Sequence, residues 1–96
     1  MPLYALHALD RPNTLPLRME YYAEHRAFAE EAVARGIKIV MSGPLQSDDG
    51  EIMTGSLFLL EAADRAAVEA FVAENPFTKH NVWGEVSIRR FYRRAG

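Results

Sequence analysis

Residues 37–61, IKIVMSGPLQSDDGEIMTGSLFLLE, decide the fold. Ile37 to Met41 reads as a strand that Ser42-Gly43-Pro44 breaks. Gln46 to Glu51 is a polar loop with a turn signal at Asp49-Gly50, and Gly55 to Glu61 is the returning strand. Working outward from this hairpin, Leu3 to Leu9 is short, apolar and β-compatible, and Asp10-Arg11-Pro12-Asn13-Thr14 punctuates it. A helix lies between Leu15 and Arg35 and ends at Gly36, a residue suited to the left-handed position after a helix. Asp64 caps a second helix with Ala67, Val68, Phe71 and Val72 facing inward, and Glu74-Asn75-Pro76-Phe77 ends it. Val82 to Phe91 is the fourth strand. The order βαββαβ is that of an α+β, ferredoxin-like domain: an antiparallel sheet with two helices on one face.

The third strand carries a further expectation. Leu57 and Leu59 point one way, Phe58 and Leu60 the other. Apolar side chains on both faces call for cover on both, and two helices cover only one. With 96 residues allowing a single domain of high surface-to-volume ratio, a second copy packed sheet to sheet is expected. That makes a homodimer formed through the sheet face opposite the helices.

Composition narrows the function. There are no cysteines, so disulfides and thiolate metal sites are excluded. No apolar run approaches the roughly 20 residues of a membrane span. The first residues lack the charged and apolar regions of a secretion signal, and a cytoplasmic location is expected. A net charge of −2 gives no general attraction to nucleic acid. Arg89, Arg90, Arg93 and Arg94 do interleave with Phe91 and Tyr92, a pattern that suits a strand-binding tail but reads more simply as a solvated strand end.

The first helix holds the main candidate for chemistry. Leu17, Tyr21, Phe28, Ala29, Ala32 and Val33 recur at helical spacing, and His25 falls on that apolar stripe, away from Glu20, Glu24, Glu31 and Arg35. Such a histidine is either a satisfied core residue or a base on a pocket floor. Asp10, at the end of the first strand, is placed to orient it: a carboxylate accepting from one ring nitrogen leaves the other free as a base. Asp10 also suits a plain turn role.

Ser42 and Ser56 stand beside Gly43 and Gly55 near sheet ends, where a hydroxyl could hold a substrate oxygen and a glycine lets the backbone come close. Phe77 and Trp83, with Tyr21, Tyr22 and Phe91, could line an apolar pocket or belong to the core. Trp83 and Phe91 share a strand phase with Glu85, Ser87 and Arg89. His7 is out of phase with Asp10, and His80 reads as a surface residue. No histidine pair has helix-ligand spacing, no Gly-x-Ser-x-Gly elbow occurs, and no glycine loop suits a phosphate. No metal and no organic cofactor are expected.

Taken in order, Tyr4 to Asp10, Pro12-Asn13-Thr14-Leu15, His25, Gly36, Ser42-Gly43-Pro44, Asp49-Gly50, Thr54-Gly55-Ser56, Asn75-Pro76-Phe77, Val86-Ser87-Ile88 and Phe91 make the chain resemble the YciI-like (YCII-related domain) proteins of the dimeric α+β barrel group. The resemblance spans nearly the whole chain. It implies a His–Asp pair as active site, which transfers onto His25 and Asp10. Some relatives act as lyase-like enzymes on chlorinated, hydroxylated aromatic compounds, while most have no assigned reaction. The chain departs from the pattern at Asn75, where the family usually has Asp. It departs again at Lys79-His80-Asn81-Val82-Trp83, which stands where a Gly-[Leu/Val]-[Phe/Tyr] stretch is common. The expected function is a cofactor-independent lyase or isomerase abstracting a proton from a small hydroxylated aromatic or carbonyl compound. The alternative is a non-catalytic module that binds a small ligand or a partner.

Overall fold

The computed structural model describes every residue from Met1 to Gly96. Strands β1 (Leu3–Asp10), β2 (Lys38–Gln46), β3 (Met53–Glu61) and β4 (Trp83–Phe91) form one antiparallel sheet in the order β2-β3-β1-β4. Helices α1 (Leu15–Glu20), α2 (Tyr22–Glu30), α3 (Arg65–Glu74) and α4 (Pro76–Lys79) connect them. The ferredoxin-like order expected from the sequence is the one observed.

Alternation along the strands selects the face the helices cover. Tyr4, Leu6, Ala8, Phe58, Leu60 and Ile88 are buried and pack with Val68, Phe71 and Phe77 from the helical layer. On the opposite face His7 is exposed, and Leu9, Met41, Leu57 and Phe91 are exposed apolar side chains.

Three local readings need correction. The first helical segment is not one uniform helix. Hydrogen bonds from Tyr21 N–H to Leu17 C=O and from His25 N–H to Tyr21 C=O carry the chain from α1 into α2, but Ala32–Arg35 tightens into a 3-10 turn. With three residues per turn instead of 3.6, that turn rotates Val33 off the apolar stripe, and Val33 is 80% exposed. Gly36 closes the segment at φ 76°, the left-handed position its sequence context predicts.

Second, Ser42-Gly43-Pro44 does not end β2. The strand continues to Gln46, with register shifts after Ile39 and after Leu45. It is an edge strand paired only with β3, so a proline without an N–H is tolerated on it.

Third, Trp83 does not share a face with Phe91. The register on β4 slips so that Leu9 opposes Glu85 and Asp10 opposes Trp83. This irregularity around Gly84 turns the indole into the core, where it is 3% exposed.

Caps behave as the sequence indicates. Asp64 accepts a hydrogen bond from the Ala67 N–H at 3.0 Å, and Asp49 organises the hairpin tip by accepting from Ser47 Oγ and from the Glu51 N–H. Gly55 is compelled by space, since a Cβ there would collide with the Ala8 carbonyl.

Candidate active site

Two clusters of polar side chains meet under the helical layer. The first starts at Asp10, on the last position of β1. Arg18 reaches down from α1, and its Nη1 donates to both carboxylate oxygens at 3.0 Å. Its Nη2 donates to Ser56 Oγ on β3 at 3.1 Å, and Trp83 Nε1 donates to the same oxygen at 3.2 Å. The guanidinium also lies over the Phe77 ring, 4.8 Å from its centroid. Both charged side chains are withdrawn from water, with 2% of Arg18 and 6% of Asp10 exposed. Burial pushes the Asp10 carboxyl above its ordinary value, and the charge and hydrogen bonds of Arg18 oppose that rise.

The second cluster surrounds His25 on α2. Its Nδ1 lies 2.8 Å from Oδ1 of Asn75, the residue that caps α4. The imidazole stacks on Phe77 with centroids 4.0 Å apart and planes 4° from parallel. The edges of Phe58 and Trp83 close around it at 5.9 and 5.8 Å. Burial lowers the His25 pKa below 6.5; the Asn75 hydrogen bond opposes this, and the charges of Arg18 and Arg26 add to it. The ring is therefore neutral at pH 7.

A cavity of about 500 Å³ opens against both clusters. His25, Arg18 and Ser56 line it together with Ser42 and Gly43 from the edge strand. Tyr22, Arg26 and Glu30 also stand along it. A Cβ built on Gly43 meets nothing within 4 Å, and the pairing of Gly43 with Leu57 puts that Cβ on the bare sheet face, so only the backbone of Gly43 reaches the cavity. No group of three or more His, Asp or Glu side chains converges as metal ligands would.

The structure thus brings His25, Ser42, Gly43 and Ser56 to one cavity. It puts Phe77 and Trp83 behind the imidazole, where they clamp the ring and do not form the cavity wall. His25 and Asp10 do not share the hydrogen bond expected of a pair: the carboxylate is taken by Arg18 and the imidazole by Asn75. A buried carboxylate needs a full counter-charge, and a guanidinium offers one where a neutral imidazole does not. Arg18 was not singled out by the sequence reading, yet it had a signal. It precedes His25 by about two helical turns, which puts an arginine on the apolar stripe.

Comparisons with known proteins identify the family and the fold. The model of the YCII-related domain matches residues 2–92. The chain belongs to the YCII-related domain family. Among solved structures it is similar to the 5-chloro-2-hydroxyhydroquinone dehydrochlorinase TftG of Burkholderia phenoliruptrix AC1100, in complex with 2,5-dihydroxybenzoquinone. That protein is 33% identical, with a TM-score of 0.83 over 94% of this chain and 93% of its own. More distant structures share the fold alone. PA3566 of Pseudomonas aeruginosa is 17% identical at TM-score 0.55, over 98% of this chain and 95% of its own. At3g17210 of Arabidopsis thaliana is 14% identical at TM-score 0.54, over 100% and 98%. No curated protein matches the chain.

Proposed function

We propose that this YCII-related domain is a small-molecule enzyme of lyase or isomerase type, acting on a hydroxylated aromatic or carbonyl compound without an organic cofactor. The observation that carries the proposal is the meeting of a neutral, solvent-reaching imidazole and an arginine–serine pair on one cavity wall. His25 removes a proton from a ring hydroxyl or from carbon beside a carbonyl, through the ring nitrogen that Asn75 leaves unengaged. Negative charge then develops on a substrate oxygen. Ser56 Oγ already accepts from Arg18 and Trp83, both of which can only donate, so its own hydrogen remains for that oxygen. Asp10 serves by holding Arg18. Loss of a leaving group from the resulting anion gives elimination, and return of the proton to another carbon gives isomerisation. The dehydrochlorinase activity of the 33% identical relative favours elimination of a halide from a hydroxylated ring.

The test is chloride release from chlorinated di- and trihydroxybenzenes. His25→Gln should fold and lose turnover by about 10²–10⁴-fold. Tight binding of such compounds by the wild-type protein with no turnover of any would instead establish a ligand-binding module.

We further propose that the domain works as a homodimer through the sheet face the helices leave bare. Met41, Leu57 and Phe91 are 58%, 40% and 43% exposed there, and burying them is the support for this reading.

A further inference from the structure

Asn75 is wholly buried and does two things with one atom. Its Oδ1 accepts the backbone N–H of Phe77 at 3.0 Å, and the same Oδ1 faces His25 Nδ1 at 2.8 Å. A backbone N–H can only donate, so the amide atom facing it is the oxygen, and the orientation of the side chain is fixed by the cap of α4. An oxygen that faces Nδ1 requires Nδ1 to carry the hydrogen. A neutral imidazole has one N–H, so Nε2 is left with its lone pair. Nε2 has no hydrogen-bond partner within the fold, and it is not among the polar atoms sealed away without one, which are Arg18 Nε, Asn75 Nδ2 and Thr78 Oγ1. The His25 ring itself lines the cavity.

We infer that Asn75 is the positioning residue of this site: it fixes the tautomer of His25 so that Nε2 is the basic atom presented to substrate. The orphaned Nδ2 of Asn75 points the same way. A buried amide hydrogen-bond donor without an acceptor is a defect that capping alone gives no reason to keep, since Asp caps helices as well. What Asn supplies and Asp does not is an acceptor without charge. The charged groups around the ring are Arg18 from α1 and Arg26 and Glu30 from α2. Asp10 of β1 is spent on Arg18, and Tyr22 is the remaining titratable group on the cavity. Ser56 and Phe58 of β3, Phe77 of α4 and Trp83 of β4 are neutral. The amide adds no counter-charge to this set; its hydrogen bond at Nδ1 favours the imidazolium, but burial outweighs it, and the neutral ring is the working form.

This inference rests on the proposed function only in giving Nε2 a substrate to act on. The tautomer itself is read without substrate, so failure of one leaves the other standing. Long-range proton–nitrogen NMR spectra of the full chain, recorded above the His25 titration, should show Nδ1 protonated and Nε2 bare. Asn75→Asp keeps the cap and places a carboxylate at Nδ1. It should raise the His25 pKa by about 1–3 units, and the acid limb of any pH–rate profile should move with it. Asn75→Leu should merge the two nitrogen signals toward a tautomer average. Should that variant fail to fold, the wild-type spectrum and the Asn75→Asp titration decide alone. A proton found on Nε2 in the wild type, or a His25 pKa unmoved in Asn75→Asp, overturns the inference.

Discussion

The two clusters that meet at the cavity solve the problem of buried polarity in opposite ways. Around Asp10 the solution is charge: a carboxylate and a guanidinium are both removed from water and pair at two oxygens, and the second guanidinium nitrogen is anchored on Ser56. Around His25 it is neutrality. A titratable ring is enclosed by three aromatic side chains, given an uncharged acceptor on one nitrogen and nothing on the other. A buried ion pair is rigid and chemically quiet, because its charges are matched and both terminal guanidinium nitrogens are engaged, with only Arg18 Nε left over. A half-satisfied neutral imidazole retains a lone pair to use. In the proposed reaction the cavity uses both, one wall to hold position and charge and one to exchange a proton.

The sharpest way to break this comparison is to remove one charge. Arg18→Met leaves Asp10 buried without its partner and should lower unfolding free energy by about 3–5 kcal/mol, read by urea denaturation. Arg18→Met with Asp10→Leu should regain most of that loss. Near-wild-type stability in the single variant would show that the pair is solvated and that the contrast between the clusters is false.

The neutral cluster should reveal itself through pH. The folded pKa of His25 lies below 6.5, so its share of stability is complete above that value and is lost as pH falls from 6.5 toward the lowered native value, because the unfolded chain takes the proton first. Asp10 runs the other way in a lower window: its raised carboxyl pKa makes the folded state the better proton acceptor just above 3.8. Urea midpoints should therefore drop between pH 7.5 and 5.5, and His25→Gln should flatten that slope. An equal slope in wild type and variant would mean the ring is not desolvated.

Leu57→Glu probes the other face of the same sheet. It should shift sedimentation toward the monomer at micromolar concentration while circular dichroism stays unchanged. An unshifted dimer would move the interface elsewhere. The smallest effect is expected at Gly43, where space is free. Gly43→Ala should change unfolding free energy by less than about 0.5 kcal/mol and leave binding of a ring-sized ligand unchanged, because its methyl group would stand beside Leu57 on the bare sheet face.

Periodicity, turn chemistry and caps in the sequence determined the order of elements, the ends at Gly36 and Asp64, and the inward placement of His25, because these follow from neighbours a few residues apart. The same local signals misjudged β2. Whether Ser42-Gly43-Pro44 breaks a strand depends on its lying at a sheet edge, which no neighbour along the chain encodes. Trp83 failed for a similar reason: strand alternation gives its phase only while register holds, and the slip opposite Leu9 and Asp10 is a property of the pairing. The candidate site was legible in part of its membership, without Arg18, and illegible in its bonds. Asp10 and His25 could be chosen from residue type and position. Only the tertiary structure decided that Arg18 takes the carboxylate and Asn75 the imidazole, because which buried donor meets which acceptor is settled by how α1, α2 and α4 come together over the sheet.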